Sequence, residues 1–453
     1  MASANPTIAE TTSAIARIHA STGIYTASSE IDSLLDEMGW PERGERLLDP
    51  GAGNGGFLVA ALGRLDLAID DVRGASWAVH GFEFHAEAAE TARTAVQSHL
   101  VDRRWSRDAA RRAAMLIVEI KDFLIDDVPR GVWDRIAANP PYLRYANLPE
   151  AYRPAYDAVT GPHARPDMLY AYLDRVAAVI APEGIVGLIS ADRWLLNSGS
   201  SELRRRLGET WSVASIRRLE SASAFYRPKA RGRGTPARVH PVAMVMTTGN
   251  GRALGADPFP IDVVPHVDGR TLDEIATIRL APWLGPDGIF MVDDPSGFAR
   301  HEVVPCYEPE DLTGTEPGEP RRWAIATSRE RPSDAVMRHL DSNLARMPAR
   351  GRQKIPWLPP ETFHGRLPLA SDAVVVPRIS QTLRGVRLPA GAMPVNHNLV
   401  VVSGMPTDSM LRILSDPRVR AQADALALRL ESGYRSYTAT LLRRLRIPEE
   451  LVP

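Results

Sequence analysis

Apolar runs of strand length alternate with longer amphipathic stretches through the first half of the chain. These runs predict seven strands, at residues 45–50, 77–84, 114–120, 133–138, 185–190, 215–220 and 240–248. Helices are predicted at residues 57–64 and 168–180. A further helix opens at Ser29, which has an acid three residues later, and closes at Gly39. This alternation predicts an α/β fold, Rossmann-like and seven-stranded, over residues 1–250.

The pattern changes after residue 250. Residues 251–322 are rich in Pro, Gly and acids, above all at 306–320, and predict a linker or an irregular excursion. Residues 323–453 predict a smaller mixed α/β domain, with helices at 333–344 and 408–431 and a strand at 373–379. We therefore expect two domains with separate cores in this chain of 453 residues.

Charge and cysteine content narrow the class of protein. The net charge is −1, so any surface for a polyanion must be a local patch. Cys306 is the only cysteine, which excludes an intramolecular disulfide or a Cys-rich zinc site and suits a reducing cytoplasm. The first twenty residues lack the pattern of a secretory signal, and no apolar run reaches about 18 residues. We expect a soluble, cytoplasmic monomer without a membrane span or a bound metal.

A glycine-rich turn follows the first predicted strand, in the sequence LLDPGAGNGGF at residues 47–57. Glycines let the backbone approach a ligand closely and adopt positive φ. Gly51, Gly53 and Gly56 also have the spacing of a dinucleotide fingerprint, so this pattern alone leaves open a nicotinamide enzyme or a purely structural turn. Glu83 ends the next strand, where a carboxylate can accept hydrogen bonds from a ribose diol.

Asp122 and Phe123 follow the third predicted strand. An acid and an aromatic there suit the amino group and the ring face of an adenine. Asp122 is equally suited to capping a helix.

The fourth predicted strand ends in Asn139-Pro140-Pro141-Tyr142. Two prolines forbid helix and give a stiff loop at a strand's carboxyl end, where open α/β sheets bind ligands. Asn139 offers an amide oxygen, Pro140 a carbonyl and Tyr142 a flat face. Two acceptors can hold both hydrogens of an exocyclic amine and turn its lone pair toward an electrophile, while the ring stacks on the base.

These motifs, in this order, resemble the amino-methylating DNA methyltransferases of the gamma class, and most closely the N6-adenine enzymes of the Taq and Eco57I restriction–modification type. The resemblance covers residues 20–250 well and the remainder loosely. It implies a class I methyltransferase domain that transfers a methyl group from S-adenosyl-L-methionine to N6 of a flipped adenine in double-stranded DNA, followed by a target-recognition domain. Asn at the loop's first position is typical of N6-adenine enzymes, whereas cytosine-N4 enzymes more often carry Ser.

The resemblance also implies roles for individual residues. Those implied to bind the cofactor are Thr26, Asp49, Gly51, Ala52, Gly53, Glu83, Phe84, Asp122, Phe123, Asn139 and Tyr172. Thr26 lies in a motif that closes over the methionine end, although the family's usual Thr-Pro is here Thr26-Ala27. Tyr172 is implied to pack on the cofactor's adenine, with a buried helix-face aromatic as the alternative. Phe225 is implied to be a second aromatic residue, besides Tyr142, that packs against the flipped base. Tyr226 is the alternative candidate for this role.

Two segments are rich in Lys and Arg and balance the acidic residues of the rest of the chain in the net charge. Residues 202–238 hold ten Lys or Arg against three acids, and residues 346–387 hold eight against two. Solvated helix faces are the alternative to DNA binding for such runs. The expected DNA-binding residues are Arg227, Lys229, Arg231, Arg233, Arg238, Arg352, Lys354, Arg378 and Arg384. Residues 227–238 are too rich in Gly and Pro to be helical, and His364 and His397 are expected to be structural.

Three other functions stay open. One is methylation of RNA bases or protein glutamine, because the loop recognises a planar amine and not a whole nucleotide. Another is a DNA-binding subunit of a defence complex that has lost activity, and a third is a nicotinamide oxidoreductase. The sequence contains no Pro-Asp…Glu-x-Lys nuclease pattern, so any cleavage in a restriction–modification system would require a separate endonuclease.

Overall fold

The protein was analysed as a computed structural model that describes residues 8–42, 44–220, 224–226, 240–363 and 367–452. The chain forms two compact units, Met1–Ile261 and Asp262–Pro453. The division therefore falls after Ile261 and not after residue 250, and residues 262–322, expected to be a linker, belong to the second unit. No helix among the described residues is long and apolar enough to span a bilayer.

The first unit alternates strands and helices as the hydrophobic pattern predicts. Its described strands are β1 (Tyr25–Thr26), β2 (Leu47–Asp49), β3 (Val79–Glu83), β4 (Val118–Ile120), β5 (Trp133–Ala138), β6 (Ile180–Ala191), β7 (Ser212–Arg218), β8 (Phe225–Tyr226), β9 (Pro241–Thr247) and β10 (Arg252–Ala253). Its described helices are α1 (Ile8–Thr22), α2 (Ser28–Glu37), α3 (Gly56–Gly63), α4 (Val72–Ala78), α5 (Ala86–Asp102), α6 (Arg107–Ile117), α7 (Arg153–Val159), α8 (Met168–Val179), α9 (Arg193–Leu196) and α10 (Ser201–Gly208).

The large sheet has the strand order β10-β7-β9-β6-β5-β2-β3-β4 among the described residues. Strands β4, β3, β2, β5 and β6 are parallel, whereas β9, β7 and β10 each run antiparallel to their neighbours. The chain builds outward from β2 to β4 and then returns to add β5 on the other side of β2. This reversal opens a crevice at the carboxyl ends of β2 and β5, and the α/β fold class predicted from the sequence is confirmed.

Three local predictions need correction. The run at 114–120 is mostly helix, because buried residues recur at helical spacing up to Ile117 before β4 begins. Helix α4 likewise occupies the start of the run at 77–84. Helix α2 is preceded by Ala27 as N-cap, without a side-chain cap bond, and not by Ser29. Gly39 does end it, at φ +69°.

The second unit is built from short strands in small sheets. Its described strands are β11 (Thr277–Leu280), β12 (Met291–Val292), β13 (Val303–Tyr307), β14 (Arg322–Ile325), β15 (Ala373–Val376), β16 (Ile379–Ser380), β17 (Val386–Leu388), β18 (Met393–Pro394), β19 (Leu399–Val402), β20 (Leu428–Arg429) and β21 (Arg435–Ser436). Its described helices are α11 (Leu272–Ile275), α12 (Asp334–Asn343), α13 (Thr407–Ser415), α14 (Pro417–Leu426) and α15 (Ala439–Arg443).

Strand pairing explains why residues 262–322 are structured. β11 pairs with β19 more than a hundred residues later, and β13 and β14 form the centre of another sheet. Polar composition hid these strands, which are only two to five residues long. The predicted helix at 408–431 is instead two helices, because Pro417 cannot donate to the preceding turn and Asp416 caps a new start.

A glycine in the second unit provides a test of its packing. Gly269 has φ +141°, and a Cβ there would lie 1.9 Å from the carbonyl oxygen of Ile447. Gly269→Ala is expected to lower the free energy of unfolding by more than about 2 kcal/mol, because it adds both strain and a backbone clash. Gly404→Ala, which meets nothing within 4 Å, is the control. Equal unfolding midpoints for the two variants in urea would contradict the packing described.

Candidate active site

The sequence-predicted ligand residues converge at the carboxyl end of the parallel strands. Asp49 ends β2, Glu83 ends β3, Asp122 follows β4 and Asn139 follows β5. Because β2 and β5 are neighbours at the point where the strand order reverses, the crevice lies between the turns that follow them. A cavity of about 860 Å³ occupies it.

The glycine turn forms one wall of this cavity. Gly53 and Gly55 have φ +52° and +85°, the left-handed region that side chains disfavour. A Cβ at Gly55 would lie 3.1 Å from the Cα of Ala92, so the turn must pass close to α5. Gly51 and Ala52 line the same wall. The backbone is thus exposed to a ligand.

Two buried carboxylates face this turn. Glu83, 5% exposed, accepts hydrogen bonds from the amides of Gly53 (2.8 Å) and His85 (2.9 Å). Asp49, 1% exposed, accepts one from the Gly51 amide, and its Oδ2 has no hydrogen-bond partner among the described residues. Burial raises the pKa of each carboxyl to about 7, because desolvation disfavours the charged form. A ligand that donates hydrogen bonds to these two carboxylates would therefore lower the free-energy cost of burying their charge.

Aromatic rings close the cavity on the side of β4. Phe123 and Tyr172 pack with ring centroids 5.0 Å apart, and both are buried. The Tyr172 hydroxyl has no hydrogen-bond partner within the part of the chain that the structure describes, and burial raises its pKa well above the ordinary value, so it remains a donor. Phe84 also lines the cavity.

Asp122 caps a turn and also lines the cavity. Its Oδ1 accepts from the amides of Leu124 and Ile125, as a turn cap does. Its Oδ2 accepts from the Tyr152 hydroxyl at 2.7 Å, and the residue lines the cavity. Burial raises the pKa of this carboxyl.

The Asn139 side chain is held by three groups. Its Nδ2 donates to the Ile24 carbonyl (3.2 Å) and to Thr26 Oγ1 (3.1 Å), and its Oδ1 accepts from the Tyr142 hydroxyl (2.7 Å). A backbone carbonyl can only accept, so the amide nitrogen must face Ile24 and the amide oxygen must face Tyr142. That oxygen keeps a second lone pair. The Pro140 carbonyl accepts no hydrogen bond from the described residues.

The catalytic loop separates two cavities. Asn139 and Pro141 line the cavity already described, whereas Tyr142 lines a second one of about 520 Å³. The Tyr142 hydroxyl also lies 3.0 Å from the Ile189 carbonyl, and burial raises its pKa. The pair Asn139–Tyr142 thus forms the partition between the two spaces.

Phe225 lies elsewhere. β8 pairs with β1, where Phe225 faces Thr26 across the ladder. The Phe225 side chain packs against the hydrophobic core of the first unit and is not among the residues that line either cavity.

The expected DNA-binding residues are only partly described. Arg227, Lys229, Arg231, Arg233 and Arg238 lie outside the described residues, as does His364. Arg352 and Lys354 are exposed, and the Arg378 side chain makes no hydrogen bond or ion pair with a described residue, whereas Arg384 donates to the Thr313 carbonyl.

Several arginines of the first basic segment are structural. Arg204 is fully buried and donates to four carbonyls, including those of Trp194 and Asp257. Arg217 pairs with Glu30 and Glu37. These guanidinium groups are therefore occupied within the fold.

Some site residues escaped the sequence analysis. His19 and His85 stack with centroids 4.1 Å apart beside the cavity. The Ile24 backbone carbonyl accepts a hydrogen bond from Asn139. The Tyr152 hydroxyl donates to Asp122 from a different segment of the chain. None of these contacts has a local sequence signal, because each joins residues far apart in the chain.

Residues 61–225 match the family model of the Eco57I restriction-modification methylase. The resemblance drawn from the motifs is confirmed. The Type II methyltransferase M.XhoI of Xanthomonas vasicola is 29% identical over 245 residues, 48% of this chain and 44% of its own length. M.PaeR7I of Pseudomonas aeruginosa is 27% identical over 282 residues, 58% of this chain and 46% of its own length.

The fold is also found in a solved structure. The Type IIL restriction-modification enzyme MmeI, solved in complex with DNA, superposes with a TM-score of 0.60 at 15% identity, over 92% of this chain and 64% of its own. The matched regions are less than half the length of the curated relatives.

The buried acids predict an unusual pH dependence of stability. Folded Glu83 holds its proton up to a pKa of about 7, whereas an unfolded glutamate releases it near 4.5. Between these values the unfolded state binds fewer protons, so the free energy of unfolding should fall as pH rises from 5.5 to 7.5 in the ligand-free protein. Urea unfolding measures this slope.

Glu83→Gln should reduce the slope, because it removes one of the buried carboxyls whose pKa is raised. Glu87→Gln, at an exposed position on α5, is the control and should keep it. A Glu83→Gln variant with the full wild-type slope would contradict the burial described.

Proposed function

We propose that this protein is an S-adenosyl-L-methionine-dependent DNA methyltransferase that methylates N6 of adenine, within a restriction–modification or related defence system. The observation that carries the proposal is the Asn139 amide, whose nitrogen donates to Ile24 and Thr26 in the wall of the first cavity and whose oxygen accepts from Tyr142, a residue that lines the second. The first cavity takes the cofactor and the second takes the amine. We further propose that double-stranded DNA is the partner, that the chain acts as a monomer, and that a separate endonuclease performs any cleavage.

The first cavity suits this cofactor. Glu83 keeps lone pairs for a ribose diol, and the unpaired Asp49 Oδ2 suits a cationic amino group. Phe123 and Tyr172 supply apolar faces for an adenine ring. When bound, the cofactor supplies a methyl group on a positively charged sulfur.

The loop would then orient the attacking nitrogen. Asn139 Oδ1 and the Pro140 carbonyl accept the two hydrogens of the amine, so that its lone pair points toward the methyl group. Methyl transfer to this nitrogen would form an N–C bond and break the C–S bond of the cofactor held in the first cavity, with the electron pair left on sulfur. The nitrogen becomes acidic on transfer and releases its proton to solvent. Positioning therefore provides most of the acceleration.

Asparagine at the loop's first position favours adenine over cytosine as the target. A serine there would have one hydroxyl in place of an amide, and could not donate to both Ile24 and Thr26 while accepting from Tyr142. Methylation of RNA or protein glutamine is a second candidate, because the same two acceptors suit any planar amine.

Replacement of Asn139 tests the mechanism. Asn139→Ala should lower methyl transfer to unmethylated genomic DNA by about 100-fold or more, because the amine loses an acceptor and its orientation. The protein should still fold and bind the cofactor measurably. Asn147→Ala, an exposed asparagine in the segment after the loop, is the matched control. Tritium transfer from labelled cofactor gives the rate, and nucleoside mass spectrometry identifies the product.

N6-methyladenine in the wild-type product supports the proposal, whereas N4-methylcytosine would refute its base specificity. Methylation of RNA or of a glutamine peptide in place of DNA would replace it by the second candidate. A normal rate for Asn139→Ala would refute the mechanism.

Cofactor affinity should depend on pH. The ionised Glu83 carboxylate accepts hydrogen bonds from ribose hydroxyls, and burial raises its pKa to about 7, so protonation below that pH removes an acceptor. The affinity for S-adenosyl-L-methionine should therefore rise from pH 6 to pH 8, by at most about tenfold per pH unit. Calorimetry of wild type and Glu83→Gln tests this. Equal pH dependence in both would exclude Glu83 as the titrating group.

A further inference from the structure

The second cavity has its own set of side chains. Tyr142 forms one side, and Tyr170 of α8 lines the same space together with Asp167, Arg144 and Arg193. The cavity therefore combines two aromatic residues, one carboxylate and two arginines. Phe225, which the family resemblance implied as the second aromatic, packs on the core instead.

Backbone pairing fixes these side chains relative to one another. Arg144 forms an isolated β-bridge with Asp167, and the Met168 amide donates to the Leu143 carbonyl at 2.9 Å. The segment that follows the catalytic loop is thus attached to the start of α8. Asp167 caps this helix by accepting from the Leu169 amide, and Tyr170 lies within the first turn. Tyr142 and Tyr170 are therefore presented to the same space by two segments that are hydrogen-bonded together.

The Tyr170 side chain is half-buried in the first turn of α8 and lies beside Ser200, which is fully buried. Ser200 donates to the Trp194 carbonyl at 2.7 Å. A ring that is already held among packed neighbours loses little further freedom when a flat ligand stacks on it.

The arginines have a different environment. Arg144 and Arg193 are exposed, although they line the same cavity. Asp167 is half-buried and already accepts a hydrogen bond from the start of α8. Exposed guanidinium groups beside a cavity with two rings suit a planar base that carries phosphates, because arginine is a common phosphate ligand in protein–DNA contacts. A glutamine side chain would use neither the second ring nor the cations.

We infer that Tyr170 is the aromatic residue that stacks on the extruded base opposite Tyr142, and that Arg144 contacts a phosphate beside it. This inference rests on the proposed function and specifies its acceptor as a nucleotide. It assigns the second stacking role to Tyr170 on α8 and no longer to Phe225 on β8. The stacking ring then belongs to a helix whose start is hydrogen-bonded to the catalytic loop itself.

The test compares two replacements at one position. Tyr170→Phe keeps the ring and loses the hydroxyl, whereas Tyr170→Leu keeps apolar volume and loses the ring. Steady-state rates on unmethylated genomic DNA should fall by about tenfold or more in kcat/KM for Tyr170→Leu, and by less than about threefold for Tyr170→Phe. Equal losses in the two variants, or a larger loss in Phe225→Leu than in Tyr170→Leu, would overturn the assignment.

Arg144→Gln provides a second test that does not depend on core packing, because this side chain is exposed. It should raise the KM for DNA by about tenfold, leave kcat near the wild-type value and reduce the dependence of KM on salt. Arg111→Gln, an exposed arginine on α6 without a partner among the described residues, is the control. An unchanged KM and salt dependence for Arg144→Gln would remove the phosphate contact from the inference.

Thermal unfolding and calorimetric cofactor binding are measured for each variant, so that a loss of activity caused by misfolding is recognised. If the wild type methylates DNA and Tyr170→Leu keeps full activity, only this inference fails. If the wild type methylates a glutamine peptide and not DNA, the proposed function and this inference fail together.

Discussion

The orientation of one side-chain amide is the constraint on which the site depends. Asn139 follows a buried parallel strand, and its nitrogen is held by Ile24 and Thr26 from the N-terminal segment. Its oxygen therefore faces the Tyr142 hydroxyl, and Tyr142 lines the second cavity. Two prolines between Asn139 and Tyr142 keep the loop from relaxing into helix. The partition between the two cavities is thus rigid because three separate segments determine it.

The topology of the sheet explains why these segments meet. The chain adds β5 beside β2 only after it has completed β3 and β4. The turns after β2 and β5 therefore diverge and leave a crevice, into which Asp49 and Glu83 are carried as buried acids. In the ligand-free state each carboxyl has a raised pKa, which reflects the free-energy cost of burying a charged carboxylate. A ligand that donates hydrogen bonds would recover that cost.

The sequence predicted those parts of the molecule whose signals are local. The bounds of β5 at residues 133–138 agree with the apolar run, and the glycine turn, Glu83 and the Asn139 loop lie where strand order places them. Prediction failed where tertiary pairing decides the outcome. The strands within residues 262–322 find partners far along the chain, and Arg204 belongs to a basic run yet is buried among carbonyl oxygens. Phe225 followed a family pattern, whereas its pairing with Thr26 turns it to the core.

The account is tested most directly by a crystal structure of the protein with a non-reactive cofactor analogue and duplex DNA that contains its methylation site. The account predicts an extruded adenine whose N6 lies about 3 Å from both Asn139 Oδ1 and the Pro140 carbonyl, with the analogue in the cavity beside Asp49 and Glu83. An adenine that remains stacked in the duplex, or an N6 held by other groups while Asn139 keeps only its present partners, would contradict it.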